Sequence, residues 1–137
     1  MKVAVVDGRG GGIGSLLVRK LKEAFGEQVE VVALGTNAIA TWAMMRAKAN
    51  RGATGEGAVV RMAREVDLIL GTIDAVLPQG MMGELTPRMA EAIASAPAYK
   101  VLLPLSQERL EVVGVQREPL PHLVDRAMER VRELLHV

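Results

Sequence analysis

The chain has 137 residues, half of them hydrophobic, and its 17 basic side chains nearly balance its 16 acidic ones. This length predicts one domain over residues 1–137, while the balanced charge and only three aromatic residues argue against a nucleic-acid surface. The absence of cysteine excludes disulfides and thiolate metal sites. No apolar run approaches the roughly 18 residues of a membrane span, so we expect a soluble cytoplasmic protein.

The first strand and helix are predicted within the N-terminal part of the chain. Residues 2–6 (KVAVV) form an almost continuous apolar run rich in β-branched side chains, which is typical of a strand covered on both faces. From Ile13 to Phe25, apolar residues recur at helical spacing with charged residues between them. Gly26 follows as the expected C-terminal cap of this helix.

The middle of the chain is predicted to continue the alternation. Residues 29–34 (VEVVAL) form the second strand, and a helix over residues 38–49 follows it. Thr36 or Asn37 can be the N-cap of that helix. A second glycine-rich loop, residues 50–58 (NRGATGEGA), then precedes a short helical stretch.

The third predicted strand and the next helix follow this loop. Residues 67–73 (DLILGTI) form the strand, and residues 74–83 are expected to be irregular. Thr86 is a natural N-cap with Pro87 at the first helical position.

The C-terminal part is predicted to contain two strands and the clearest helix. Residues 99–105 (YKVLLPL) and 111–115 (EVVGV) are the strands, and the short link between them suits an antiparallel pair better than a crossover. From Leu120 to Leu135 the apolar residues form one helical stripe.

Strands that alternate with helices predict an α/β fold with right-handed crossovers. We expect a single three-layer, Rossmann-like or flavodoxin-like domain. Its five-stranded sheet is mostly parallel with helices on both faces, and the last strand is the candidate for antiparallel pairing. The strand order is left open.

Residues 7–14 (DGRGGGIG) follow the first strand at once and contain five glycines. In a parallel α/β sheet, ligands bind beyond the carboxyl ends of the strands. A helix N-terminus at that place offers unpaired N–H groups and a positive dipole end to a phosphate, and glycine allows a close approach. The alternative interpretation is a glycine turn needed only for packing the helix on the sheet.

This loop resembles the cofactor loop of short-chain dehydrogenases, whose pattern is Gly-x-x-x-Gly-Ile-Gly. Gly8, Gly12, Ile13 and Gly14 stand at the matching positions. The resemblance covers about the first 35 residues and implies that these residues bind the pyrophosphate of a dinucleotide.

Two departures from that family shape the prediction. The catalytic Tyr-x-x-x-Lys is absent, because Leu103 stands four residues after the sole tyrosine, Tyr99, so carbonyl reduction of that kind is not expected. The acidic residue that would hold the adenosine ribose at the end of the second strand is replaced by Thr36 and Asn37. Our hypothesis is that these two residues favour the 2′-phosphate form, NADP, with Arg9 as a charge partner.

Polar residues elsewhere add to the candidate site. Asp7 and Asp74 follow the first and third strands, so both are expected at one cleft, where a carboxylate can contact a ribose or Mg²⁺, or cap a loop. Thr54 and Glu56 lie in the second glycine-rich loop, which is either a lid over the nucleotide or a mobile surface loop.

Two further groups of residues point away from catalysis. His122 and His136 have no carboxylates arranged around them, so no metal site is expected. Met81 and Met82 fall in an irregular segment, where exposed apolar residues indicate self-association, and a symmetric dimer is the expected form.

The chain as a whole resembles a small family of uncharacterised bacterial proteins of similar length. The strings that carry the resemblance are VDGRGGGIG, ALGTNAIAT, GATGEGA, GELTPRMAEAIASA and VGVQREPLPHL. Because that family has no assigned activity, the resemblance implies no catalytic residue. It does imply that the loops act together as one site at the same sheet edge.

Three functions are therefore weighed. The first is a nucleotide-binding protein for a (di)nucleotide such as NAD(P). The second is an enzyme of unknown reaction with Asp7, Asp74 or Glu56 as its base, and the third is a structural or partner-binding protein. The missing catalytic groups favour the first. The residues predicted to contact the nucleotide are Asp7, Gly8, Arg9, Gly10, Gly11, Gly12, Ile13, Gly14, Gly35, Thr36, Asn37, Thr54, Thr72 and Asp74.

Overall fold

A computed structural model describes residues 1–135, so the prediction for His136 lies outside the described residues. The strands are β1 (Lys2–Asp7), β2 (Glu30–Gly35), β3 (Arg51–Thr54), β4 (Leu68–Thr72) and β5 (Tyr99–Leu103). The α-helices are α1 (Gly12–Phe25), α2 (Ala38–Arg46), α3 (Glu56–Ala63), α4 (Pro87–Ala94) and α5 (Leu120–Leu135). Short 3-10 turns cover Gly26–Gln28 and Ile73–Val76.

The strands form one sheet in the order β3-β2-β1-β4-β5, and every neighbouring pair is parallel. In register, Val5 of β1 lies opposite Ala33 of β2 and Leu70 of β4. The chain builds the sheet outward from β1 to β3 and then returns to β4 on the other side of β1. Such a reversal leaves a crevice at the carboxyl ends of β1 and β4, where open α/β sheets bind ligands. The predicted α/β fold is confirmed.

Two hydrophobic cores cover the two faces of the sheet. Val3 and Val5 of β1 belong to the core that α1, α2 and α5 share, whereas Ala4 and Val6 belong to the core beneath α3 and α4. The exposed fraction of these four side chains is at most 1%. Burying a valine completely contributes about 1.5–3 kcal/mol, so the continuous apolar run of β1 anchors both layers.

The predicted C-cap at Gly26 and the predicted N-caps at Asn37 and Thr86 are confirmed. The side chain of Asn37 accepts a hydrogen bond from the amide of Ala40 at 2.8 Å, and the hydroxyl of Thr86 accepts one from the amide of Met89 at 3.2 Å. A cap of this kind contributes about 1 kcal/mol. Helix α2 ends at Arg46 rather than at residue 49, and Lys48 beyond it has a left-handed φ of 86°.

Two predictions about the strands are wrong. Residues 51–54, expected to lie in a loop, form the edge strand β3, because their backbone pairs with β2 although their sequence (RGAT) is a weak strand former. Residues 111–115 are not a strand: they are exposed and pair with no other strand among residues 1–135. The last strand is therefore β5, which is parallel to β4 rather than antiparallel to its neighbour.

Candidate functional site

A cleft of about 410 Å³ lies at the carboxyl ends of β1 and β4. The loop between β1 and α1 forms one wall, and residues that follow β4 and β5 form the other. The lining residues are Asp7, Gly8, Arg9, Gly10, Gly11, Gly12, Ile13, Thr72, Asp74, Met81, Leu105, Ser106 and Gln107. The cleft therefore occupies the place where the strand order reverses.

The carboxylate of Asp7 holds the glycine loop in shape. Its Oδ1 accepts a hydrogen bond from the amide of Gly8 at 2.8 Å, and its Oδ2 accepts one from the amide of Gly14 at 2.6 Å. Burial raises the pKa of Asp7 above its ordinary value, although the hydrogen bonds from Gly14 and Gly8 act in the opposite direction. Because Gly14 lies in the first turn of α1, the carboxylate also caps that helix.

Three glycines of the loop are required by packing. A Cβ atom on Gly8 would lie 2.6 Å from Oγ1 of Thr36, and one on Gly14 would lie 2.7 Å from Sδ of Met44. Gly11 has a left-handed φ of 72°, which L side chains rarely adopt. These positions fit the interpretation that glycine serves packing, although only Gly14 concerns the contact of α1 with β1.

Gly10 and Gly12 are different. A Cβ atom on either would meet nothing within 4 Å, and neither has a left-handed φ. Both residues are exposed and line the cleft. Within residues 1–135, the amides of Gly10, Gly12 and Ile13 donate no hydrogen bond. The fold does not require glycine at these two positions.

Glu84 occupies the space beside the loop at the end of β2. Its Oε1 accepts hydrogen bonds from the amide of Arg9 at 2.8 Å, the hydroxyl of Thr36 at 2.6 Å and the side-chain amide of Asn37 at 2.9 Å. The bonds from Arg9, Thr36 and Asn37 lower the pKa of Glu84 below its ordinary value. The group is therefore a fixed negative charge at neutral pH.

The segment that carries Glu84 has an unusual backbone. Gln79, Met81 and Met82 have left-handed φ values of 69°, 56° and 59°. A non-glycine residue in that region costs of order 1–2 kcal/mol. Hydrogen bonds between Gln79 and Leu85 at 2.9 Å and between Leu85 and Gly80 at 3.0 Å hold the segment closed. Strain of this kind is typical of functional loops.

On the β4 side, Asp74 connects the ends of two strands. Only 5% of Asp74 is exposed. Its Oδ1 accepts a hydrogen bond from the hydroxyl of Ser106 at 2.5 Å, and its Oδ2 accepts one from the amide of Gln107 at 3.3 Å. The guanidinium of Arg9 donates to the side-chain carbonyl of Gln107 from the opposite wall. The polar side chains on this side of the cleft are therefore already paired with one another.

The structure brings together only some of the predicted site residues. Residues 7–13, Thr72 and Asp74 line the cleft. Gly14 is buried beside Asp7 and does not line it, and Thr36 and Asn37 contact Glu84 instead. Gly35 lies under α2, where a Cβ atom would be 2.6 Å from the amide nitrogen of Thr41.

Two residues of the second glycine-rich stretch lie outside the cleft. The hydroxyl of Thr54 lies 2.7 Å from that of Thr41 at the end of β3. The carboxylate of Glu56 accepts a hydrogen bond from the hydroxyl of Thr86 at 2.7 Å and so joins α3 to the start of α4.

The sequence analysis missed Glu84, Ser106 and Gln107. Ser106 and Gln107 follow β5 closely, so the rule that strand ends carry the ligand site could have found them. No periodic or motif signal marks Glu84, because its position depends on a fold of residues 77–86 that closes on itself.

Two further observations concern metal ions and membranes. Within residues 1–135, no three His, Cys, Asp or Glu side chains are grouped so that they could hold a metal ion. Over the same residues, no helix combines the length and the apolar character needed to cross a membrane.

An open parallel sheet with a glycine loop at its reversal point places the protein in the Rossmann-like class of α/β proteins. Within that class, the family described as domain of unknown function (DUF3842) matches residues 2–136, and the chain belongs to that family. No curated protein and no solved structure matches the chain.

Proposed function

We propose that the protein binds a nucleotide whose phosphate lies on the backbone of residues 10–13. The supporting observation is that Gly10 and Gly12 have open space at Cβ and an ordinary φ, so packing does not explain them. Glycine costs conformational entropy on folding, and its advantage at an exposed helix N-terminus is access to the backbone. The unpaired amides of Gly10, Gly12 and Ile13 are the donors that a phosphate needs.

The cleft suits the rest of such a ligand. Its volume of about 410 Å³ lies within the range of about 300–1,000 Å³ that small-molecule sites occupy. A dinucleotide such as NAD(P) would place its pyrophosphate on the loop and one half of the molecule beside Thr72 and Asp74. Its adenosine half would extend past the end of β2.

Glu84 favours NAD over NADP in this arrangement. Dinucleotide-binding sheets use an acidic residue near the end of the second strand to accept a hydrogen bond from the ribose 2′-hydroxyl. The carboxylate of Glu84 is held at that place by Thr36 and Asn37, and its Oε2 accepts no hydrogen bond within residues 1–135. A 2′-phosphate would meet this negative charge, so Thr36 and Asn37 no longer favour the phosphorylated form.

Calorimetry and thermal shift with NAD(H), NADP(H), ATP, GTP, flavins and S-adenosylmethionine test the proposal. A ligand at about 100 times its Kd stabilises the folded state by about 2.7 kcal/mol, which raises Tm by several degrees in a domain of this size. We expect NAD(H) to bind at least about tenfold more tightly than NADP(H), a difference of about 1.4 kcal/mol. Binding by no member of the panel would overturn the proposal.

A matched pair of glycine variants locates the site. Gly12→Ala places a methyl group where the phosphate approaches, and we expect its Kd to rise about tenfold or more. Gly57→Ala is the control, because Gly57 is an exposed glycine in the first turn of α3 with nothing within 4 Å of its Cβ position. Equal affinity of the two variants would contradict phosphate binding on the loop.

A further inference from the structure

Arg9 places a charged side chain at a position of the glycine loop that suits glycine better. Its φ is 52°, in the left-handed region that most L side chains avoid. The other four residues of the stretch 8–12 are all glycine. Glycine at position 9 would relieve the backbone strain, so the fold does not explain why arginine is present. Strain kept at a ligand loop points to a role of the side chain itself.

The backbone of Arg9 is fixed on the side of the loop that faces β2. Its amide donates a hydrogen bond to Glu84 at 2.8 Å, and its carbonyl accepts one from the side-chain amide of Asn37 at 3.0 Å. Both contacts use main-chain atoms of Arg9, which every residue except proline could supply. The side chain is therefore not needed to hold the loop in this shape.

The side chain of Arg9 extends in the other direction. Its Nη1 donates a hydrogen bond to the side-chain carbonyl of Gln107, which follows β5. Because β4 lies between β1 and β5 in the sheet, the side chain passes the carboxyl end of β4. Arg9 and Gln107 line opposite walls of the cleft. Their contact, which we call the Arg9–Gln107 bridge, therefore spans the cleft.

The charges around the cleft make Arg9 distinctive. Among the lining residues that the structure describes, Arg9 is the sole cation, whereas Asp7 and Asp74 are carboxylates. Both carboxylates already accept hydrogen bonds from the protein. Within residues 1–135, no ion pair includes Arg9, and its partner Gln107 is neutral. The full positive charge of Arg9 is thus held at the cleft without being neutralised there.

A diphosphate group is a better partner for Arg9 than Gln107 is. A guanidinium presents its N–H groups in a planar fork that matches phosphate oxygens, and such charge-assisted hydrogen bonds are roughly twice as strong as neutral ones. Arg9 and Gln107 are both exposed, so their side chains can rotate. Their backbones stay in place, because Glu84 holds the amide of Arg9 and Asp74 holds that of Gln107. The bridge can therefore open without any rearrangement of the fold.

We propose that the Arg9–Gln107 bridge closes the free cleft and that the diphosphate linkage of a dinucleotide opens it by taking Arg9 from Gln107. This inference rests on the proposed function and names the side chain that binds the linkage. In this arrangement Arg9 is not the charge partner of a 2′-phosphate. Its guanidinium lies on the β5 side of the loop, whereas Thr36 and Asn37 lie at the end of β2.

Replacing Arg9 by glycine tests the first half of the exchange. We expect Arg9→Gly to raise the Kd of NADH and of NADPH by the same factor, about tenfold, because both contain the diphosphate linkage. Its urea midpoint should not fall, because glycine suits the left-handed φ and keeps both backbone hydrogen bonds. Calorimetry and urea denaturation measure the two effects.

Arg19→Ala is the matched control, because it removes the same charge from an exposed position of α1 that does not line the cleft. Its Kd values should equal those of the unmodified protein. A loss in Arg9→Gly that is confined to NADPH would place Arg9 on the 2′-phosphate and refute the inference. Unchanged Kd values for both dinucleotides would refute it as well.

Replacing Gln107 by alanine tests the second half and has the opposite sign. Gln107→Ala leaves Arg9 without a competing partner and keeps the amide bond to Asp74. We expect both Kd values to fall by about threefold, which corresponds to a bridge that is formed about two-thirds of the time. A rise in Kd would mean that Gln107 contacts the ligand itself and would exclude the exchange.

The same titrations separate this inference from the proposed function. An unmodified protein that binds neither NADH nor NADPH would overturn both the dinucleotide site and the bridge as its closure. An unmodified protein that binds NADH, together with Arg9→Gly and Gln107→Ala variants that bind it equally well, would overturn the bridge alone.

Discussion

The two sides of the glycine loop at the carboxyl edge of the sheet differ in how they are filled. On the β2 side, Glu84 reaches across the edge and its Oε1 accepts three hydrogen bonds, so this carboxylate is fixed against the loop. On the β4 side, Asp74 pairs with Ser106 and Gln107, and a cleft of about 410 Å³ stays open. One edge of a sheet thus provides both a rigid support and a space for a ligand.

The difference follows from where each acidic side chain finds its donors. Glu84 takes a donor from the loop itself, the amide of Arg9, and so lies against the loop. Asp74 takes both of its donors from residues after β5. It therefore holds that segment beside the cleft without pairing with an amide of the glycine loop. Among the contacts of residues 1–135, the loop amides that stay unpaired are those of Gly10, Gly12 and Ile13, and all three residues line the cleft.

Replacing Gly35 and Gly12 by alanine should give the largest difference in the free energy of unfolding. In Gly35→Ala, the new Cβ would lie 2.6 Å from the amide nitrogen of Thr41 and 2.7 Å from the carbonyl oxygen of Asn37, so backbone must move. We expect the free energy of unfolding to fall by about 3 kcal/mol. In Gly12→Ala it should change by less than about 1 kcal/mol, because the methyl group meets nothing.

Urea denaturation followed by circular dichroism measures both values. The control is again Gly57→Ala, which should resemble Gly12→Ala in stability while keeping the affinity for ligand. If Gly35→Ala were as stable as the unmodified protein, β2 and α2 would not approach each other as closely at Gly35 as the structure shows.

Removing the buried carboxylate on the β4 side should have the next largest effect. Asp74→Ala leaves the hydroxyl of Ser106 and the amide of Gln107 without their acceptor, and we expect a loss of about 1–3 kcal/mol. Because Asp74 is the acceptor of the Gln107 amide, hydrogen exchange at Gln107 should become faster.

An exposed carboxylate at the other end of β4 provides the comparison for Asp74. Asp67 accepts a backbone hydrogen bond from Lys2 at 2.8 Å at the opposite end of β4. Asp67→Ala should cost less than about 1 kcal/mol and leave exchange at Gln107 unchanged. Equal exchange in the two variants would mean that Asp74 does not hold the segment after β5.

The same comparison explains which parts of the structure could be predicted from sequence. Strands β1, β2 and β4 are covered on both faces, so their residues form continuous apolar runs that mark them. Strand β3 and residues 111–115 mislead in opposite directions. The first is a strand because β2 offers it hydrogen bonds. The second has strand-forming residues but pairs with no strand among residues 1–135.

The candidate site also has a part that could be predicted from sequence and a part that could not. Asp7 and Gly14 are seven residues apart, so their contact belongs to a local motif that a sequence pattern can reveal. Glu84 and Thr36 are 48 residues apart, and Ser106 and Asp74 are 32 apart. Contacts at that separation depend on the strand order, which the sequence analysis left open.

The smallest expected effect is a pH dependence of opposite sign for the two carboxylates that hold the loop. The pKa of Glu84 is lowered in the folded state, so its contribution to stability is present above the ordinary glutamate pKa and is lost as the pH falls through the folded value. The pKa of Asp7 is raised, so its contribution is present at low pH and is lost as the pH rises from its ordinary value to the folded one.

Variants that cannot ionise isolate the two contributions. As the pH rises from about 3 to about 6, the free energy of unfolding of the unmodified protein should rise relative to Glu84→Gln by about 1 kcal/mol at most, because Glu84 is partly exposed. Relative to Asp7→Asn it should fall over the upper part of that range. Chemical denaturation at several pH values measures both differences. Differences in the free energy of unfolding that change with pH in the same direction for both variants would contradict this prediction. They would mean that the hydrogen bonds from Gly14 and Gly8 outweigh burial and lower the pKa of Asp7.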